Sequence, residues 1–141
     1  MANINNKIPG LGFHHIGLKV KDFAKSRDFY VNGLGMTPIV AWGEGDNEIN
    51  MFDIGNGDIL ELFAGGGDHL SPNGKWIHFA MTVDNVEQAY ETALAAGAES
   101  LIAPKSVPLD SRPYKMTLRI AFVKGPDGEE LEFFTIEKKG E

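Results

Sequence analysis

The sequence predicts an α+β fold in which two βαβββ modules form a curved, mixed sheet with the helices on its outer face. The main evidence is a motif that occurs twice, [Asn/Asp]-Gly-x-x-Leu-Glu-[Leu/Phe]-Phe, at residues 56–63 and 127–134. Each copy follows a β-rich stretch that begins with a histidine, His15 in one half and His78 in the other. A glycine-rich segment, residues 65–67, lies near the midpoint and would separate the halves. Agreement at several independent points indicates an internal repeat.

Size and composition limit the classes of protein to which the chain can belong. Its 141 residues suffice for one domain with a hydrophobic core, and 43% hydrophobic with 23% charged residues is typical of a soluble globular protein. No apolar run approaches the roughly 20 residues that cross a bilayer, and the first ten residues do not resemble a secretion signal. We therefore expect a cytoplasmic protein that does not enter a membrane.

Charge and cysteine content narrow the possible partners and ligands. The net charge of −7 and the lack of a clustered basic stripe argue against nucleic acid as a partner. Cysteine is absent, so any bound metal must use nitrogen and oxygen ligands.

The first module is predicted to span residues 12–64. Alternating apolar and polar residues predict a strand at about 13–20. Asp22 can then cap a helix that runs to about Asn32. The dipeptide Asn56-Gly57 is a strong signal for a two-residue hairpin turn. Three further strands complete the module, at about 37–43, 48–54 and 58–64.

The second module, residues 75–137, follows a predicted linker at 65–74 and repeats this plan. It begins with a strand at about 76–83. Asn85 is a good helix cap, and Gln88 three residues later completes a pattern like a capping box. The remaining strands are expected at about 99–103, 117–124 and 129–137.

Two irregular segments are predicted within the second module. The connection from 104 to 115 holds three prolines and should be an exposed loop. Residues 125–128, Gly-Pro-Asp-Gly, should form the turn between the last two strands.

Alternation along the strands places four possible metal ligands away from the apolar faces of the modules. If each helix packs on the apolar face of its own module, the opposite faces turn inward and line a trough. Two imidazoles and two carboxylates in such a trough suit a divalent metal ion and the enolate chemistry that a metal assists. The four candidates are His15, Glu61, His78 and Glu132.

Neighbouring residues on the same faces fit a ligand site. Gly17 and Ala80 each follow a candidate histidine by two positions and leave room for a ligand. Phe63 and Phe134 each follow a candidate glutamate by two positions and would supply apolar walls. The other two histidines are less suited to metal binding: His14 should be packed and His69 should be exposed.

The chain resembles the vicinal oxygen chelate superfamily in two signatures, and the resemblance covers about residues 12–137. It implies a fold of paired βαβββ modules, as the repeat also predicts. The opening signature comprises His15-Ile-Gly-Leu-Lys-Val-Lys-Asp22, Ser26, Phe29-Tyr30 and Leu34-Gly35. The closing signature comprises Pro126-Asp127-Gly128 and Leu131-Glu132.

Within this superfamily the chain is most similar to bacterial glyoxalase I, which uses ligands in the order His, Glu, His, Glu. The resemblance implies a lyase that uses nickel, cobalt or zinc on the hemithioacetal of methylglyoxal and a thiol. It also implies a homodimer in which each site draws two ligands from each chain. Glu132 would be the base that moves the proton, and Glu61 could serve the opposite face of the substrate.

Two positions depart from the glyoxalase I pattern. Lys19 stands where glyoxalase I has an arginine that contacts the glutathione carboxylate, and Gly65 stands where glyoxalase I has an asparagine. A lysine cannot reproduce the bidentate fork of an arginine, so the sequence leaves the thiol open. Arg112 and Lys115, before the penultimate strand, are further candidates for binding an anionic group of the substrate.

Two other functions stay open at the level of sequence. A methylmalonyl-CoA epimerase-like enzyme would need a second base, for which Glu48 is a candidate. A protein of the same fold could also bind a drug or hydrophobic metabolite without catalysis, although the intact ligand set argues against this. The sequence also leaves the metal open, because two histidines and two glutamates accommodate several ions.

Overall fold

The computed structural model describes residues 3–69, 76–125 and 130–140, and these residues form eight strands and two α-helices. The helices are α1 (Phe23–Asp28) and α2 (Val86–Ala95), and a π-helical turn over Phe29–Gly33 continues α1. A short 3₁₀ turn occupies Gly45–Asn47. The strands are β1 (Gly12–Lys19), β2 (Thr37–Trp42), β3 (Ile49–Gly55), β4 (Asp58–Phe63), β5 (Trp76–Thr82), β6 (Glu99–Leu109), β7 (Met116–Lys124) and β8 (Glu130–Lys139).

Both halves of the chain have the same βαβββ topology. The strand order in the mixed sheet is β2-β3-β4-β1-β5-β8-β7-β6. In each half the first strand pairs in parallel with the last, β1 with β4 and β5 with β8. The last three strands of each half are antiparallel neighbours. The predicted α+β class and the repeat are therefore confirmed.

The chain divides into two compact units, and the division passes through β1 and β5. We call them the first and the second unit. The first unit contains His15–Ile77 and Asp110–Lys115. The second unit contains Met1–His14, His78–Leu109 and Met116–Gly140.

In the first unit α1 covers one face of the sheet. Phe23 and Tyr30, on α1 and the turn after it, pack against strand residues of that face. Full burial of a large apolar side chain, such as that of Phe52 in this core, contributes about 1.5–3 kcal/mol. The buried residues of this core are Leu18, Phe52, Leu60 and Leu62.

The second unit has an equivalent core below α2. Val86, Ala89 and Tyr90 form the buried side of this helix. They pack against Val83, which follows β5, and against residues of β7 and β8, namely Ala121, Val123 and Phe133.

Caps and turns form at the residues that the sequence identifies. The Asp22 carboxylate accepts a hydrogen bond from the Lys25 amide at 3.1 Å, and the Asn85 side chain accepts one from the Gln88 amide at 2.9 Å. Asn56 and Gly57 have φ angles of 60° and 86°, which a type I′ hairpin turn requires.

The prediction of a loop over residues 104–115 is wrong in its first half, because β6 continues to Leu109. Pro104 and Pro108 lie within this strand. They are tolerated because β6 is the last strand in the sheet order, where a missing amide donor need not interrupt a ladder on the outer side. The pairing with β7 also shifts register between Ile102 and Lys105, next to Pro104.

Some predicted features fall outside the described residues. They are positions 126–128 of the predicted turn and closing signature, and positions 70–74 of the predicted linker. Within the described part of the chain, no helix is long and apolar enough to cross a membrane.

Candidate metal centre

The first unit contains a buried His–Glu pair. His15 lies on β1 and Glu61 on β4, and the parallel register places Glu61 beside Gly17, two residues after His15. The His15 Nε2 and Glu61 Oε1 atoms are 3.1 Å apart. The two residues are 1% and 5% exposed, so both polar groups are shielded from solvent.

The second unit contains an equivalent pair. His78 lies on β5 and Glu132 on β8, and Glu132 is in register with Ala80, two residues after His78. The His78 Nε2 and Glu132 Oε1 atoms are 3.4 Å apart. Glu132 is 5% exposed. The same strand pairing thus builds the same side-chain pair twice.

Strand alternation explains why these polar groups avoid the helix-covered cores. Leu60 and Leu62 flank Glu61 and pack below α1, so Glu61 points to the opposite face. Leu131 and Phe133 flank Glu132 and pack with the core below α2, so Glu132 also points away from its helix. Each His–Glu pair therefore lies on the face of its unit opposite the one that its α-helix covers.

The small residue beside each glutamate makes room for the pair. Side chains in register on neighbouring strands point to the same face, so a large residue at Gly17 would compete with Glu61 for space. Ala80 is fully buried and stands in the same relation to Glu132.

The chemistry of these donors suits a divalent ion. A buried carboxylate is costly unless a cation or a donor compensates its charge, and a neutral imidazole is a good metal ligand. In the second unit, His78 and Glu132 offer one imidazole and one carboxylate, both of which are ligand types for divalent metals. In the first unit, His15 and Glu61 offer the same two ligand types.

The two predicted aromatic walls lie near the pairs in sequence and differ in burial. Phe134 is 2% exposed, and its ring centroid is 4.3 Å from that of His14. His14 is therefore packed, as the sequence predicts. Phe63 is half-buried at the end of β4, in register with Lys19.

The three predicted anion-binding cations lie in different surroundings. Lys19 is half-buried and lies beside Gly65. A Cβ atom added to Gly65 would lie 3.8 Å from the Lys19 Cε atom, at van der Waals distance. Lys115 forms an ion pair with Asp110 at 3.6 Å, with both side chains strongly exposed, and such pairs contribute little. Arg112 is fixed through its backbone, which exchanges two hydrogen bonds with Ala41.

The structure also shows a polar network that the sequence reasoning missed. Arg27 donates from Nε to Asn50 at 3.0 Å, and the Asn50 amide donates to Glu48 at 3.1 Å. Asn50 is only 3% exposed. One feature of the sequence could have indicated this network: Asn50 is a polar residue on the apolar side of β3, two positions before Phe52. Glu48, the candidate second base of an epimerase, is engaged in this network.

Comparison with known proteins identifies the family. A model of the glyoxalase/bleomycin resistance protein/dioxygenase superfamily matches residues 12–133. The chain belongs to this superfamily. Among superfamily relatives, a lactoylglutathione lyase of Neisseria meningitidis is 32% identical to the chain in an alignment of 132 positions that covers 89% of each protein.

Solved structures with the same fold include two methylmalonyl-CoA epimerases. The enzyme from Mycobacterium tuberculosis has a TM-score of 0.67 at 17% identity, covering 95% of this chain and 91% of the other. A variant of the Streptomyces coelicolor enzyme in complex with 2-nitronate-propionyl-CoA also has a TM-score of 0.67, at 21% identity, covering 89% and 97%. At these identities the likeness supports the fold alone.

Proposed function

We propose that the protein is a metal-dependent lyase of the glyoxalase I type. It would convert the hemithioacetal of methylglyoxal and a thiol into the thioester of a 2-hydroxy acid. The observation that carries the proposal is the occurrence of two equivalent His–Glu pairs, in which His15 and both glutamates are buried. The 32% identity to a lactoylglutathione lyase supports it.

The proposed metal ligands are the four side chains of the two pairs, and the ion is nickel, cobalt or zinc. His15 and His78 would bind as neutral imidazoles, while Glu61 and Glu132 would balance the charge of the ion. A bound divalent ion would polarise the substrate carbonyl and stabilise the negative charge that develops on its oxygen.

Glu132 is the proposed general base. Its carboxylate would take the proton from the carbon that carries sulfur and deliver it to the neighbouring carbonyl carbon. The hydroxyl proton of the hemithioacetal moves to the former carbonyl oxygen. One C–H bond breaks and one forms, so the isomerisation needs no external oxidant or reductant. Glu61 would act as the base for a substrate that binds with its opposite face toward this residue.

Three further residues, Lys19, Phe63 and Phe134, would hold the substrate. Phe63 and Phe134 offer apolar surface to its methyl group. Lys19 would bind an anionic end of the thiol through a single ammonium group, which discriminates less between anions than a bidentate arginine does.

An activity assay tests the proposal. The purified protein is stripped with a chelator, reloaded with Ni²⁺, Co²⁺ or Zn²⁺, and assayed with methylglyoxal and several thiols, including glutathione. We expect thioester formation with at least one combination and none in the stripped protein. No activity with any combination would overturn the proposal.

A matched pair of variants assigns the activity to the site. His78→Ala should abolish it, whereas His69→Ala should leave it unchanged, because His69 is exposed and is not a proposed ligand. Exchange of the C2 proton of methylmalonyl-CoA, without thioester formation from methylglyoxal, would instead favour an epimerase. Absence of stoichiometric metal, and of affinity for added metal, would favour a non-catalytic binding protein.

We also propose that the protein acts as a homodimer in the cytoplasm. The support is the resemblance to bacterial glyoxalase I for the dimer and the composition for the location. Sedimentation equilibrium of the metal-loaded protein tests the dimer, and a single species with the mass of one chain, 15.4 kDa, would contradict it.

A further inference from the structure

A cavity lies in the first unit, away from the His15–Glu61 pair. Its volume is about 250 Å³, and Asn50 of β3 is part of its lining. Asn50 is in register with Leu62, so both side chains point to the face that α1 covers. Glu61 points to the other face. The cavity and the His15–Glu61 pair therefore lie on opposite sides of the same sheet.

A fixed guanidinium group forms one side of this cavity. Arg27 is half-buried, and its Nε–H is bonded to the buried Asn50 side chain. Its Cζ atom also lies 6.0 Å from the centroid of the Phe52 ring, at the outer limit of a cation–π contact. A guanidinium group has five N–H donors. Within the described part of the chain only the Nε donor of Arg27 has a hydrogen-bond partner, so its Nη groups can bind a ligand.

A second guanidinium group, that of Arg112, also lines the cavity. The backbone of Arg112 is held by the two hydrogen bonds to Ala41, at 2.7 and 2.8 Å. Its side chain is 56% exposed and lies 3.9 Å from Glu48. The contacts of its Nη atoms with the Gly43 carbonyl are long, at 3.4 and 3.5 Å. An anion could replace such weak contacts at little cost.

The charge and shape of the cavity define the ligand that fits it. Arg27, Arg112 and the neighbouring Glu48 leave one net positive charge, in a protein whose net charge is −7. The walls include Pro38 and Ile39 of β2 and are largely apolar. The volume is below the roughly 300 Å³ at which typical ligand pockets begin, so a nucleotide or coenzyme would not be enclosed.

We propose that this cavity binds a small monocarboxylate with an apolar body, such as an aromatic or short branched carboxylic acid. The carboxylate would bridge Arg27 and Arg112, each able to donate two parallel hydrogen bonds. The apolar body would lie against Pro38 and Ile39. This site is independent of the proposed lyase activity.

Titration of the full chain with benzoate, followed by NMR, tests the proposal. The side-chain signals of Arg27, Asn50 and Arg112 should shift saturably. Arg112→Gln should weaken binding by about tenfold or more, because it removes a charged hydrogen-bond donor. Benzamide, which has the same shape without the charge, should bind weaker by a similar factor.

Control variants separate this site from general electrostatics. Arg119→Gln removes the same charge in the second unit and should leave benzoate affinity unchanged. Arg27→Gln should weaken benzoate binding as Arg112→Gln does. If the Arg27→Gln variant fails to fold, the affinity of Arg112→Gln alone tests the proposal, because Arg112 is exposed. The proposal is overturned by equal affinity for benzamide, by normal affinity in Arg112→Gln, by absence of saturable binding, or by shifts that centre on His15 and Glu61.

Discussion

The two His–Glu pairs share a strand register but differ in the residue beside the glutamate. Gly17 faces Glu61 at a His–Glu distance of 3.1 Å, and Ala80 faces Glu132 at 3.4 Å. The His15 side chain is 2% exposed and that of His78 is 10% exposed. The extra methyl group thus accompanies the wider and more accessible pair. The first pair is therefore the more enclosed one, and the proposed base, Glu132, belongs to the more accessible second pair.

The largest expected effect comes from removing each carboxylate in turn. Glu132→Gln should lower kcat by about 10²–10⁴-fold, the usual contribution of a general base. Glu61→Gln should lower it less, because that residue would act mainly as a ligand. Steady-state kinetics with saturating metal measures both values.

Metal content is the control for this pair of variants. Each should retain enough affinity to be loaded at high metal concentration, so that kcat reports on the base. A greater loss of kcat in Glu61→Gln than in Glu132→Gln would reverse the assignment of roles.

Exchanging the small residues tests whether they set the space for each pair. Gly17→Ala places an alanine beside Glu61, as Ala80 stands beside Glu132, and should be tolerated. Gly17→Val and Ala80→Val should each cost about 1–3 kcal/mol of unfolding free energy, because they overpack a filled region. Urea denaturation of all three metal-free variants provides the comparison. Equal stability of wild type and both valine variants would show that the space is not restricted.

The repeat was predictable because its markers are local. The caps Asp22 and Asn85 and the turn at Asn56-Gly57 depend on side-chain chemistry within a few residues. The extension of β6 through Pro104 and Pro108 was not predictable, because it depends on which strand lies at the end of the sheet order. The roles of Arg27 and Asn50 depend on contacts between residues 23 positions apart in sequence, which no local pattern reveals. The four ligand candidates followed from alternation and repetition, and their joint binding of one ion is still a prediction.

A smaller effect is expected from the two helix caps. Asp22→Ala and Asn85→Ala each remove one hydrogen bond to an amide of the first turn and should cost about 1 kcal/mol. Similar losses of stability in the two variants would show that the helices of the two modules are equivalent in energy as well as in position. Thermal denaturation measures this, with Asp22→Asn as a substitution that keeps the cap. A loss of stability confined to one variant would show that the helices contribute unequally.

The smallest expected effect on stability comes from a side-chain contact in the second half that has no equivalent at the matching position of the first half. Arg119 donates to Glu87, two residues after the Asn85 cap, whereas Ala24 occupies the equivalent position after Asp22. The hydrogen bond from Arg119 lowers the pKa of Glu87. Its stabilising contribution is therefore present above the unfolded pKa of about 4.3 and is lost as the pH falls through the lower, folded value.

The difference in stability between wild type and Glu87→Gln checks this contact. We expect less than about 0.5 kcal/mol at pH 7, since both side chains are partly exposed to solvent. The difference should disappear in strong acid. A difference that grows as the pH falls would have the wrong sign and would contradict the assignment.

X-ray absorption spectroscopy of the nickel-loaded protein tests the central claim most directly. We predict one ion per chain, a shell of nitrogen and oxygen ligands, and scattering from two imidazole rings. One ring should disappear from the spectrum in His15→Ala and one in His78→Ala. A spectrum with fewer than two imidazoles, or one that neither substitution changes, would show that the two His–Glu pairs do not hold a common ion.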